Sequence, residues 1–220
     1  MTPIWKFRLL ALFIVVFVCG ISIANVVAEV LRPAPLALPS QANKAPLPQQ
    51  VSAAGLVSAI APFRSDLKGD YAIALASQVL HSERAAQSEK EDAQRAIMNT
   101  LKTAPHDSRL WLVVALLEAR SNSGGALLAE SLKMSYLTGP NQADLIPLRL
   151  QTVTSNNALD DSDLAELARS DVRAMLTQLS QQRPMLLDDY ARASGVGKKF
   201  LEESVGRVDP GFLVTLRGTR

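Results

Sequence analysis

The stretches AQRAIMNTLKTAP (93–105) and LAESLKMSYLTGP (128–140) carry one pattern twice along the chain. The shift that aligns Pro105 with Pro140 also aligns three apolar pairs, namely Ile97 with Leu132, Leu101 with Tyr136 and Leu110 with Leu145. Apolar residues three and four positions apart predict one face of a helix. A proline cannot continue that helix, because it lacks the N–H and clashes with the preceding turn. Each unit therefore predicts a helix, a proline turn and a second helix.

Helical spacing continues on both sides of these stretches, from about residue 52 onward. No segment alternates apolar and polar residues convincingly as a half-buried strand does. Residues that end one helix and start the next lie at 104–107, 121–125 and 139–141. The sequence therefore predicts an all-α fold built from helix pairs with short turns.

The C-terminal part, 160–220, predicts further short helices that cap the repeat-like part at 67–150. Asp160, Asp161 and Asp163 stand where a helix begins, and carboxylates at that end are explained by capping. Asp209 begins the tripeptide Asp-Pro-Gly, which predicts a turn. Three apolar residues after that turn are expected to fold back onto the body, namely Phe212, Leu213 and Leu216.

The repeat-like part resembles tetratricopeptide repeats, whose period is near 34 residues. The resemblance lies in 93–105, which is similar to the second helix and closing proline of such a repeat. Over about 60–215 the chain also resembles membrane-anchored helical-repeat proteins of alphaproteobacteria, through the motifs APFRSDL (61–67), LKMSYLTGP (132–140) and PLRL (147–150). This likeness implies a role in envelope or polysaccharide assembly.

The N-terminal segment predicts a transmembrane helix at 9–28. It has 20 residues without a charge, which at about 1.5 Å per residue cross the roughly 30 Å hydrocarbon core. Lys6 and Arg8 precede it, so the positive-inside rule places 1–8 in the cytoplasm. We expect a single-pass protein of the bacterial inner membrane whose remaining domain lies in the periplasm.

Two alternatives to a retained helix stay open. A signal peptidase site ending at Ala28 would release the domain, although the apolar run exceeds the usual signal length and Asn25 interrupts it. A lipid anchor on Cys19 would need a small residue where Val18 stands.

Small residues recur at every fourth position of the apolar segment, at Gly20, Ala24 and Ala28. Such a face permits close helix pairing in a bilayer and predicts a homodimer as one state of the protein.

Residues 29–52 predict a proline-rich linker before a helical domain at 53–220. Prolines stand at 33, 35, 39, 46 and 48. If the linker were extended, about 18 residues at roughly 3.1 Å each would hold the domain up to about 55 Å from the bilayer.

The charge balance argues against a nucleic-acid partner. The chain has 23 Lys and Arg against 21 Asp and Glu, and removal of Lys6 and Arg8 leaves equal numbers in the rest. Binding to phosphates needs clustered excess cations. The alternative is the segment GVGKKF (195–200), which resembles the hairpin of a helix-hairpin-helix element and would use Lys198 and Lys199.

No residue pattern predicts catalysis, a metal site or a cofactor, although an unrecognised enzyme stays open. His81 and His106 have no second ligand or nucleophile at recognisable spacing, and the acidic run at 160–163 lacks the calcium-loop pattern. We therefore expect a non-enzymatic binding or scaffolding protein with a protein partner. The predicted contact residues are Arg109, Trp111, Lys133, Tyr136 and Arg149.

Overall fold

The computed structural model describes residues 4–33, 38, 45–121 and 125–218, and all regular structure in these ranges is helical. The α-helices are α1 (Ile4–Val30), α2 (Pro48–Ile60), α3 (Ser65–His81), α4 (Gln87–Leu101), α5 (Ser108–Ser121), α6 (Gly125–Thr138), α7 (Ile146–Ser155), α8 (Ser162–Thr177), α9 (Arg183–Arg192), α10 (Gly195–Val208) and α11 (Pro210–Gly218). Two short 3-10 helices, Asn157–Asp160 and Ser180–Gln182, precede α8 and α9. The prediction of an all-α chain with a long apolar N-terminal helix is confirmed.

The chain forms two compact units. The first comprises 1–37 with 43–103, and the second comprises 38–42 with 104–220. The boundary after Thr103 falls inside the predicted repeat-like part, so α3 and α4 belong to the first unit while α5 and α6 belong to the second.

The first unit packs α2 against both α1 and α3, and α3 against α4. Ala28 at the end of α1 is buried with Val57, Ala61 and Leu67 in one apolar cluster. The buried face of α3 is rich in alanine, and these small side chains allow neighbouring helices to approach closely. The rest of α1 remains exposed along most of its length.

The second unit has one large core, to which every helix from α5 to α11 contributes. Helices α5 and α6 pack as a pair, and α7, α8, α9 and α10 pack together. Gly197 in the first turn of α10 is required by a close approach, since a Cβ there would lie 2.0 Å from the backbone oxygen of Thr154. Leu216 of α11 is buried, and Phe212 and Leu213 pack against the core as predicted.

Two helices begin where the sequence predicted other structure. Helix α2 begins at Pro48, within the predicted linker, and α11 begins at Pro210, where a turn was expected. Both prolines stand in the first helical turn, where the missing N–H costs nothing. Asp209 accepts a hydrogen bond from the N–H of Phe212 at 2.9 Å, as an N-terminal cap does.

Two described residues of the predicted linker, Glu29 and Leu38, make contacts within the chain. The Glu29 carboxylate lies 2.8 Å from the Arg64 guanidinium, so the end of α1 is attached directly to the helices after the linker. Leu38 packs against the core of the second unit.

Candidate functional site

Helix α1 is long enough and apolar enough to cross a membrane. Residues 9–28 carry no charge, and most of the large apolar side chains in this segment are more than half exposed. A contiguous exposed apolar surface of this size is typical of surfaces that contact lipid or another protein element.

The small-residue face of α1 is partly covered by the chain itself. Ala28 is 0% exposed, Ala24 is half-buried and Gly20 is exposed. Ala28 therefore cannot take part in the predicted helix pairing, because α2 and α3 already occupy its side of α1. The Asn25 amide donates to the carbonyl of Ile21 within α1 at 3.0 Å, so its side chain is satisfied without a second helix.

A cluster of five charged residues, which we call the charged junction, fixes the end of α1 to the start of α3. It consists of Glu29, Arg32, Arg64, Asp66 and Asp70. The Arg32 guanidinium lies 2.5 Å from the Asp70 carboxylate and 3.4 Å from that of Asp66. Arg64 bridges Glu29 at 2.8 Å and Asp66 at 2.6 Å.

The pKa values of the charged junction follow from these contacts. The hydrogen bond from Arg64 lowers the pKa of Asp66 below its usual value. The hydrogen bond to Asp70 raises the pKa of Arg32, against the opposing effect of burial. Asp66 and Arg32 are therefore charged near neutral pH, and the contacts of the five side chains form a network rather than isolated pairs.

Three of the predicted contact residues lie at the surface of the second unit, and each is already paired within the chain. The Arg109 guanidinium bonds the Asp107 carboxylate at 2.9 Å. Lys133 lies 2.7 Å from Asp161. The Trp111 indole N–H donates to the carbonyl of Pro105 at 2.8 Å. A partner that uses these side chains would compete with, or add to, these contacts.

Tyr136 and Arg149, the other two predicted contact residues, are buried, and their assignment to a partner surface is corrected. Arg149 of α7 is 0% exposed. Its guanidinium donates to the hydroxyl of Ser135 at 3.0 Å, to the carbonyl of Gly139 at 2.9 Å and to the carbonyl of Ser135. It also lies 4.8 Å from the centre of the Tyr136 ring. Arg149 thus adds a charged donor to the carbonyls of Ser135 and Gly139 at the end of α6, each of which also accepts a backbone N–H.

The carboxyl of Asp171 on α8 belongs to the same buried cluster. Burial raises its pKa to about 7, although the nearby Tyr136 hydroxyl and the charge of Arg149 lower it. Asp171 Oδ2 and the Tyr136 hydroxyl have no hydrogen bond of regular geometry among the described residues. The charge of Asp171 also opposes the lowering of the Arg149 pKa that burial causes.

The surface of α6 carries an apolar stripe that sequence reasoning missed. Leu127 is 55% exposed and Leu137 is 69% exposed, and half-buried Met134 lies on the same side of the helix. Lys133 borders the stripe beside Leu137. The sequence does contain the pattern of this stripe, because Leu127 and Met134 are seven residues apart and so lie on one side of a helix. Apolar periodicity alone, however, does not say which apolar face of a helix is buried.

The predicted helix-hairpin-helix segment does form two short helices, α9 and α10, joined by Ala193 and Ser194. The Gly197 amide, however, donates to the Ser194 hydroxyl at 3.1 Å and packs against the Thr154 carbonyl. Lys199 is exposed, whereas the Lys198 ammonium lies 5.5 Å from the centre of the Tyr190 ring. The glycine turn is therefore used for packing within the chain, and nucleic-acid binding stays an untested alternative.

The remaining acidic and histidine residues have structural contacts. Asp161 caps α8 by accepting from the N–H groups of Asp163 and Leu164, each at 3.1 Å. His81 Nδ1 lies 2.8 Å from the carbonyl of Ser77, and His106 is exposed in the turn before α5. Within the described residues, no group of three or more His, Cys, Asp or Glu side chains is arranged to hold a metal ion.

Comparison with known proteins gives no match: no family model, no curated protein and no solved structure is similar to the chain.

Proposed function

We propose that this protein is a non-enzymatic binding or scaffolding protein that α1 tethers to the bacterial inner membrane, with the helical units in the periplasm. The observation that carries the proposal is the exposed, uncharged surface of α1 over 9–28. Removing that surface from water is strongly favourable, and a bilayer does so over the whole helix length.

The charged junction supports a helix that is retained rather than cleaved. Glu29 at the end of α1 pairs with Arg64 directly before α3, and Arg32 pairs with Asp70 inside α3. Ala28, the residue at the alternative cleavage site, is buried in the core of the first unit. Cleavage after Ala28 would remove this packing from the first unit, which supports retention of α1.

The α6 stripe supports a protein partner. Leu127 and Leu137 place apolar side chains on the surface beside the ion pair of Lys133 and Asp161. An apolar centre with a polar rim is the common arrangement of protein interfaces. The stripe therefore replaces Tyr136 and Arg149 as the proposed contact surface, with Lys133 at its edge.

The pairs α3–α4 and α5–α6 each pack as a helical hairpin, which supports a likeness to the hairpin unit of tetratricopeptide repeats. Each pair is followed by a proline turn, at Pro105 and Pro140. The role in envelope or polysaccharide assembly rests on the resemblance in sequence and stays a proposal.

The buried carboxyls favour binding over catalysis. Asp171 and Asp189 both have a pKa raised to about 7 by burial, which is a property of many active-site acids. Each side chain is closed off from solvent in the core. A catalytic acid must reach its substrate, so these groups fit a structural role better.

Site-specific photocrosslinking in living cells tests the proposed partner surface. A photoreactive phenylalanine analogue replaces Leu137 in one variant and the exposed Arg173 of α8 in a matched control. The expected result is a discrete crosslinked protein from position 137 and none from position 173. Equal crosslinking at both positions, or none at either, would contradict a specific contact surface on α6.

A fusion of alkaline phosphatase to the C-terminus tests the topology, because that enzyme is active only in an oxidising compartment. Activity is expected for the wild-type chain. An inactive but intact fusion would place the helical units in the cytoplasm.

A further inference from the structure

The turn between α2 and α3 lies beside the apolar part of α1, and not beyond its charged end. Ile60, Ala61, Pro62 and Phe63 line one side of an apolar groove of about 300 Å³. The other side is formed by α1 residues between Phe17 and Asn25. A segment that is remote in sequence therefore shares the surface of the membrane-spanning helix.

We infer that this turn and the exposed face of α2 insert into the bilayer, in the leaflet at the C-terminal end of α1. The inference rests on the proposed anchoring by α1 and adds a second contact with lipid, made by the Pro62–Phe63 turn. The occupant of the groove is the acyl region of the surrounding lipid.

The composition of the segment fits lipid contact. Residues 45–63 contain no charged residue, although charges resume at once with Arg64. Phe63 is 83% exposed, and Leu56 on α2 is more than half exposed. Aromatic and aliphatic side chains of this kind are characteristic of elements that lie in the membrane interface.

The depth of the turn in the bilayer follows from the part of α1 that it faces. Glu29 marks the start of the charged junction, and at about 1.5 Å per residue Asn25 lies about 6 Å and Gly20 about 14 Å from it along the helix. The turn faces this part of α1. Interfacial helices are buried about 5–10 Å at the boundary of headgroups and acyl chains. The end of the groove beside Asn25 lies within that range, and the end beside Phe17 lies deeper, while the junction remains at the polar surface.

Several polar groups of the segment are paired within the chain, which lowers the cost of placing them in hydrocarbon. The N–H of Ala61 donates to Val57 and that of Arg64 donates to Ala61, while Pro62 has no N–H. The hydroxyl of Ser58 donates to the carbonyl of Gly55 at 2.8 Å. Few donors therefore have to be removed from water when this surface enters lipid.

Electron paramagnetic resonance on single spin labels tests the inference in the full-length protein. Cys19→Ala removes the native thiol, and single cysteines replace Phe63, Phe13 in the middle of α1, and the exposed Met98 of α4. Each labelled protein is placed in vesicles of phosphatidylcholine and phosphatidylglycerol. Collision rates are then measured with oxygen, which concentrates in lipid, and with a water-soluble nickel complex.

At Phe63 the oxygen rate is expected to exceed the nickel rate several-fold, as at Phe13, and the order is expected to reverse at Met98. A water-like label at Phe63 with a lipid-like label at Phe13 would overturn the inference and leave the anchor intact. Water-like labels at both positions would overturn the anchor as well. Spin–spin broadening at Phe63 that disappears on dilution with unlabelled protein would show a second copy in the groove, and would also overturn it.

Discussion

Replacement of Arg149 by methionine tests whether a buried cation holds α6 and α7 together. The guanidinium makes three hydrogen bonds to Ser135 and Gly139 at the end of α6. Methionine fills a similar volume and adapts to its surroundings, but it donates no hydrogen bond. The substitution therefore leaves two backbone carbonyls of α6 without this donor in the core.

The expected loss in the free energy of unfolding follows from the burial of Arg149. Hydrogen bonds to a charged group contribute about 1.5–3 kcal/mol each, and loss of one member of a buried charged arrangement costs about 3–5 kcal/mol. We expect Arg149→Met to lower the free energy of unfolding by an amount in the second range. The loss should be larger at pH 8 than at pH 5, because the carboxyl of Asp171, with a pKa of about 7, also loses its nearby positive charge.

Urea unfolding in detergent micelles measures this loss. Trp111 fluorescence in a Trp5→Phe background reports on the second unit. Arg173→Met is the matched control, since Arg173 is exposed on α8 and its loss should change stability by less than about 0.5 kcal/mol. A cost below about 1 kcal/mol for Arg149→Met, or a cost equal to that of the control, would refute the role of Arg149.

Three further predictions concern packing, titration and the charged junction. Gly197→Ala should destabilise the second unit by about 1–3 kcal/mol or more, because the added Cβ meets a backbone carbonyl, whereas Gly195→Ala has open space and should be nearly neutral in the same urea assay. The free energy of unfolding should fall as pH rises from about 4 to about 7, because folded Asp171 and Asp189 keep their protons up to about pH 7 and the unfolded carboxyls lose them near 3.8. Asp171→Asn should reduce this slope in a pH series, and the part that remains should come from Asp189. A double-mutant cycle of Arg32→Ala and Asp70→Ala should give a coupling of about 0.5–1 kcal/mol that shrinks in high salt, and a coupling of zero at low salt would remove the junction as a stabilising contact.

The helices could be predicted from the sequence because their signals are local. Apolar spacing predicts α3 to α6, and the aspartates at 160–163 predict the start of α8. The start of α11 was misread although its signal was present, since Asp209 followed by Pro210 is also the pattern of a cap and first helical residue.

The inside of the fold could not be predicted, because its contacts join residues far apart in sequence. Arginine is seldom fully buried, so Arg149 was expected at the surface. Its three acceptors lie 10 and 14 residues away, at the end of another helix. Likewise, the small residue Ala28 fits helix pairing in a membrane and packing against α2 equally well, and only the fold shows which contact it makes.

Extraction of bacterial membranes with alkaline carbonate tests most directly the claim that α1 anchors this protein in a bilayer. Full-length protein is compared with a variant that carries Phe13→Arg and Val16→Arg in the exposed middle of α1, with Lys102→Arg as a surface control. The wild-type and control proteins are expected to stay with the membrane pellet and the charged variant to be released, because arginine near the centre of a bilayer is costly. Recovery of the wild-type protein in the soluble fraction would contradict the account.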